Sequence, residues 1–105
     1  MKYLKLKKQS DFEKLFKKGK RAFSSSLTMI YRPAEKLTMG ISVGKRHGKS
    51  VQRNRIKRLL REAFRKNIPL FKGKYSIVLI PKVSDKYDFH IYEKHIGNMI
   101  EKDGL

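Results

Sequence analysis

The sequence predicts one α+β domain spanning residues 1–105, with elements in the order α-β-β-α-β-α. Three observations predict it. Apolar residues recur at helical spacing in three separate stretches, while two-residue alternation and one continuous apolar run mark strands between them. A chain of 105 residues with 39% hydrophobic content can build one modest core and no more. There is no internal repeat, low-complexity tract or linker to divide it.

Ser10-Asp11-Phe12-Glu13 has the form of a capping box. Phe12, Leu15 and Phe16 follow at i, i+3, i+4, and Gly19 suits the position after a helix, so a helix is placed at about 10–18. From Ala22 the period becomes two. Phe23, Ser25, Leu27, Met29 and Tyr31 alternate with Ser24, Ser26, Thr28, Ile30 and Arg32. A turn-like Pro33-Ala34-Glu35-Lys36 separates this stretch from Met39, Ile41 and Val43, which alternate with Thr38, Gly40 and Ser42. Two antiparallel strands joined by a loop are expected.

Gly44 to Ser50 reads as a basic loop. Ile56, Leu59, Leu60, Ala63 and Phe64 then form the apolar stripe of a helix from about Val51 to Lys66, ended by Asn67-Ile68-Pro69. Tyr75-Ser76-Ile77-Val78-Leu79-Ile80 is a continuous run rich in β-branched residues, as in a central strand covered on both faces. Asp88 is placed to cap a last helix that buries Phe89, Tyr92, Ile96, Met99 and Ile100. Gly97 inside it costs about 1 kcal/mol relative to Ala.

The charge points to the partner. Lys and Arg total 27 against nine acids, a formal net charge of +18. Self-repulsion of this size opposes folding, and a polyanion would relieve it. The excess is clustered: residues 1–21 carry +7 and residues 45–66 carry +9. The absence of cysteine excludes a disulfide scaffold, a thiolate zinc site and a cysteine nucleophile. No run of 18 apolar residues offers a membrane span, and the charged N-terminal stretch is unlike a signal peptide, so a cytoplasmic protein is expected.

On a helical projection, Asn54, Lys57, Arg58, Arg61 and Arg65 lie opposite the apolar stripe, with Arg53 and Arg55 flanking it. Such a helix can dock on a sheet and still present guanidinium groups outward. Their planar forks bond phosphate oxygens in pairs. One acid against ten cations in residues 45–66 leaves too few partners for a salt-bridged helix face. Charge alone does not separate RNA from DNA.

The motif does. Val43-Gly44-Lys45-Arg46, a short spacer, then Val51-Gln52-Arg53-Asn54-Arg55-Ile56-Lys57-Arg58-Leu59-Leu60-Arg61-Glu62 resembles the signature of the bacterial ribonuclease P protein family. The opening Asp11-Phe12, Leu15-Phe16 and Gly19, then Tyr31 and the run 75–80, match in order over roughly residues 4 to 100. Ser50, Lys5, Lys74 and Pro81-Lys82 depart from the pattern. The resemblance implies a protein subunit of a ribonucleoprotein endonuclease for 5′ maturation of tRNA, monomeric apart from RNA. It implies that Lys45, Arg46, Lys49, Arg53, Asn54, Arg55, Lys57, Arg58, Arg61 and Arg65 bind the catalytic RNA. Phe12, Phe16, Met29 and Tyr31 would line a cleft for the 5′ leader of precursor tRNA, with core packing the alternative for each. The RNA, with magnesium, would cut the phosphodiester. A left-handed β-α-β crossover is also implied, against the general rule.

A ribosomal or other structural RNA-binding protein fits the composition equally well. Nothing in the sequence marks a protein-borne active site: no convergent carboxylate set, Gly-rich phosphate loop or metal-ligand spacing appears, and His90 and His95 point about 140° apart on a helix. His47, within the basic loop, is expected to be an RNA contact or a plain surface residue.

Overall fold

The computed structural model describes residues 2–105. Five strands form one mixed sheet: β1 (Leu4–Lys5), β2 (Lys20–Phe23), β3 (Leu27–Pro33), β4 (Thr38–Ile41) and β5 (Tyr75–Pro81). Their spatial order is β1-β4-β5-β3-β2. Three helices flank it: α1 (Gln9–Lys18), α2 (Ser50–Asn67) and α3 (Phe89–Asp103). The α+β class follows the sequence reading, with two strands more than the three it placed.

The continuous run is the central strand. β5 pairs antiparallel with β3 and parallel with β4. Ile77 and Leu79 enter one core, Val78 and Ile80 the other. β4, α2 and β5 make a β-α-β unit whose strands are neighbours and parallel. The expected pairing of the two alternating stretches is corrected, because β5 lies between β3 and β4. The long alternation from Ala22 is also broken in two. Ser24 Oγ accepts from the Ser26 and Leu27 amides at 3.3 and 3.1 Å, and Ser24 N donates to Leu27 O at 3.1 Å. That turn makes β2 and β3 a hairpin.

The first helix begins two residues earlier than its apparent capping box. Lys8 stands at the N-cap without a side-chain bond, and Gly19 follows with extended backbone. α3 starts as expected, with the Asp88 carboxylate accepting from the His90 and Ile91 amides. Gly97 has a packing reason. Asn67, buried at the end of α2, donates from Nδ2 to Ala63 O and Glu93 O. A Cβ at Gly97 would lie 2.9 Å from Asn67 Oδ1, so the glycine lets α3 close on that amide.

The sheet faces are unequal. α2 and α3 cover one face, where Leu27, Met29, Ile77, Leu79, Ile56 and Phe64 are fully buried. On the other face the ten-residue α1 seals only a small cluster, Leu6, Leu15, Ile30 and Val78, with Phe12 and Ile80 against its edge. No helix is long and apolar enough to cross a membrane among the described residues.

Candidate nucleic-acid interface

The two basic segments of the sequence meet in space. A groove of about 880 Å³ runs between the N-terminal strand, β4 and the outward side of α2. Lys2, Tyr3 and Lys5 stand on one wall; Asn54, Lys57, Arg61 and Arg65 stand on the other. The latter four recur every three or four residues, so they stack along one side of α2. Tyr3 holds the wall in place by an edge-on contact with Phe64, ring centroids 5.2 Å apart. β1 adds its parallel pairing with Thr38 and Met39. No carboxylate among the described residues lines the groove. Among the described residues one ion pair exists, Arg65 Nη1 to Glu62 Oε1 at 2.8 Å, and it is exposed.

The remaining expected RNA-binding residues divide. Arg55 and Arg58 are exposed beside the groove row. Lys45, Arg46 and Lys49 are exposed on the loop before α2. Arg53 is half-buried; Nη2 donates to Ser50 Oγ at 3.3 Å and Nε is enclosed without a partner. His47 is corrected from a surface position to a buried one, 5% exposed. Its Nδ1 accepts from Gly44 N at 3.1 Å, and Nε2 lies 2.7 Å from Pro81 O. With Nδ1 accepting, the proton sits on Nε2 and is donated to Pro81 O. The imidazole thus ties the basic loop to the end of β5.

Phe12 and Phe16 share the α1 side of the sheet. Phe16 is 37% exposed, and Phe12 is half-buried over Gly40. A Cβ at Gly40 would come within 2.6 Å of the Phe12 ring, so glycine is what lets the ring lie on β4. The expectation that Met29 and Tyr31 line the same cleft is corrected. Side chains alternate across a strand, and these two point to the α2–α3 face. Met29 is fully buried. Tyr31 is buried too, its hydroxyl donating to Asp103 Oδ2 at 2.6 Å. Burial first, then that hydrogen bond and the Asp103 charge, push the Tyr31 hydroxyl up to about 12. Burial likewise raises Tyr92.

The residues that do face α1 come from the intervening positions. Phe23, Thr28 and Ile80 form one row across β2, β3 and β5, and Arg21, Ile30, Val78 and Gly40 form the next. α1 lies on the second row and leaves the first open. Lys2, Tyr3, Lys5 and this open row escaped the sequence reading. The +7 charge of residues 1–21 was the signal for the first group. Separating the β2–β3 hairpin would have shown the second.

No group of three or more His, Asp or Glu side chains that could hold a metal ion occurs among the described residues. What the fold and surface define is a small basic α+β protein built to meet a polyanion. Comparison with known proteins makes this specific. The ribonuclease P family model matches residues 1–103. The ribonuclease P protein component of Clostridioides difficile (strain 630) is 41% identical over 105 residues, covering 95% of this chain and 91% of the relative. That of Dictyoglomus turgidum is 38% identical, covering 95% and 88%. The solved ribonuclease P protein of Thermotoga maritima superposes with a TM-score of 0.82 at 28% identity, over 93% of this chain and 96% of the other. The chain belongs to the ribonuclease P protein family. It is the protein subunit of ribonuclease P, an endonuclease of tRNA processing, and its partner is the ribonuclease P RNA.

Proposed function

We propose that the two surfaces divide the work of the subunit. The groove and its margins hold the catalytic RNA: Lys45, Arg46, Lys49, Arg53, Asn54, Arg55, Lys57, Arg58, Arg61 and Arg65, joined by Lys2 and Lys5. The open track beside α1 takes the 5′ leader of precursor tRNA, with Phe16 as its wall and Thr28 and Ile80 as its floor, and with Phe12, which also lines the basic groove, where the two surfaces meet. The protein acts as a cytoplasmic monomer apart from RNA.

One observation carries this reading: cations from two segments some 50 residues apart converge on one groove that has no carboxylate. Phosphate neutralises such a site without desolvating a buried charge, because the guanidinium forks are open to solvent. The track supports a different chemistry. Exposed rings stack on bases of any sequence, as a leader that varies between tRNAs requires.

The RNA subunit with its magnesium supplies the phosphodiester cleavage. The chain's own residues bind and orient. Binding the leader on a surface fixed relative to the RNA turns a bimolecular encounter into a positioned one.

Reconstitution tests this. The purified chain and the RNA subunit are combined, and cleavage of precursor tRNA is followed with and without protein at near-physiological salt and magnesium. The protein is expected to raise kcat/KM for leader-bearing substrate. An equal rate in its absence would refute the division of work.

A further inference from the structure

The first row of the α1-side face ends at Phe23, which belongs to neither the basic groove nor the wall and floor of the leader track. It is 69% exposed, the most exposed aromatic side chain among the described residues. Its neighbour Ala22 is buried in the opposite core, so alternation turns the Phe23 ring to the α1 side. The register is explicit: Phe23 pairs with Thr28, and Thr28 with Ile80. Two inter-strand steps carry the row about 10 Å from Ile80 to Phe23.

An exposed phenyl ring on an edge strand, continuous with the uncovered Thr28 and Ile80, offers a partner a flat apolar face. Charge selects what covers it. β2, β3 and β5 contain no acidic residue. Arg21, two residues before Phe23 on the same face, is held to the end of α1 by Nη2 donating to Phe16 O at 3.0 Å. Lys82 lies two residues beyond Ile80, and its amide donates to Ser26 O, which brings it to the Ser24–Ser26 turn beside Phe23. A ring with Arg21 on its own strand and Lys82 across the hairpin turn fits a base with its neighbouring phosphates. A hydrophobic protein partner would have to bury Arg21 and Lys82 unpaired, which is costly.

We propose that Phe23 is a second stacking platform for single-stranded RNA, beyond Phe12 and Phe16, with Arg21 and Lys82 on the phosphates either side. It takes an unpaired nucleobase of the leader farther from the cleavage site. The inference rests on the α1-side track as leader path and sets how long a leader this chain can grip.

The experiment uses holoenzyme reconstituted with the RNA subunit and precursor tRNAs of graded leader length, including none. Phe23→Ala, Phe23→Trp and Phe16→Ala are compared with the parent by equilibrium binding. Phe23→Ala should weaken the longest leaders by roughly five- to a hundredfold and leave the shortest and the leaderless tRNA unchanged. Phe23→Trp should restore the long-leader affinity. Phe16→Ala should weaken short and long leaders alike. Parental long-leader affinity in Phe23→Ala, with Phe16→Ala still defective, overturns the platform and keeps the track. No leader effect in either variant overturns the track itself. If instead Phe23→Ala changes only the self-association of free protein, by sedimentation, the ring covers a protein contact and the proposal is wrong. Truncating so exposed a ring leaves no cavity, and circular dichroism confirms folding.

Discussion

The two sides of the sheet are built from the same strands and end up opposite in character. On one, α2 and α3 bury Met29, Ile77, Leu79 and their neighbours. On the other, α1 is ten residues long and covers one row of side chains, leaving Phe23, Thr28 and Ile80 beside it. Burial is decided by how much helix is laid over a face, and alternation along a strand carries no record of that. The difference separates residues that hold the fold from residues free to hold RNA. It can be attacked by mutation from either side.

The largest effect is expected from charge. Lys57, Arg61 and Arg65 all replaced by Ala should weaken binding to the RNA subunit by several kcal/mol, since charge-assisted contacts contribute about 1.5–3 kcal/mol each before non-additivity. The slope of log affinity against log salt should also become shallower by two to three phosphate contacts, at about 0.9 or less per contact. Stability should hold, because none of the three side chains is in a core cluster. Titration in rising salt measures both quantities. An unchanged slope in a folded variant would take these cations out of the interface.

Next come the paired truncations that set one face against the other. Met29→Ala should cost about 2–5 kcal/mol of unfolding free energy through the cavity it leaves. Phe16→Ala should cost far less stability yet about 1–3 kcal/mol of leader binding. Urea unfolding and leader-dependent tRNA binding give the two numbers for each variant. If Phe16→Ala proved the less stable protein, the ring would be core and the comparison would collapse.

Much of this was legible in the sequence. The apolar stripe of α2, the Asp88 cap and the central run at 75–80 are signals within one element, and each landed where its pattern placed it. What failed depended on contacts between elements. Met29 and Tyr31 share a strand face, and the family resemblance offered that face as the leader cleft with core as the alternative; the structure takes the core. The Ser24 turn, formed by side-chain oxygen on backbone amides, hid the hairpin inside a longer alternation. With the hairpin drawn, Phe23 and Arg21 fall opposite Thr28 and Ile30, on the α1 side. His47 was unreadable for a similar reason: its partners, Gly44 and Pro81, include one 34 residues away.

His47→Leu tests whether the basic loop belongs with the electrostatic surface. Leucine fills the volume but leaves Gly44 N–H and Pro81 O unpaired, each a cost of about 1–3 kcal/mol if it stays dry. The loop should loosen, and RNA affinity should drop less than in the α2 triple variant. Hydrogen exchange at Gly44 and His47, with the same salt titration, measures it. Parental protection at Gly44 would show that the imidazole does not anchor the loop.

The smallest effect lies in the sealed face and appears only in alkali. Tyr31 titrates at about 12 in the folded chain against an ordinary value of 10.0. Below pH 10 both states keep the proton, and Tyr31 adds no pH dependence. Between about 10 and 12 the unfolded chain loses it and the folded chain does not, so stability falls as pH rises through that window. Tyr31→Phe removes this contribution. It should start slightly less stable at neutral pH, by about 1 kcal/mol for the lost bond to Asp103, and then decline less steeply from pH 10 to 12. Every other group is the same in both proteins, so the difference in slope belongs to Tyr31. Thermal melts of parent and variant across that range read it directly. Parallel declines would mean that the Tyr31 hydroxyl is open to water, and the side of the sheet treated as closed would not be closed.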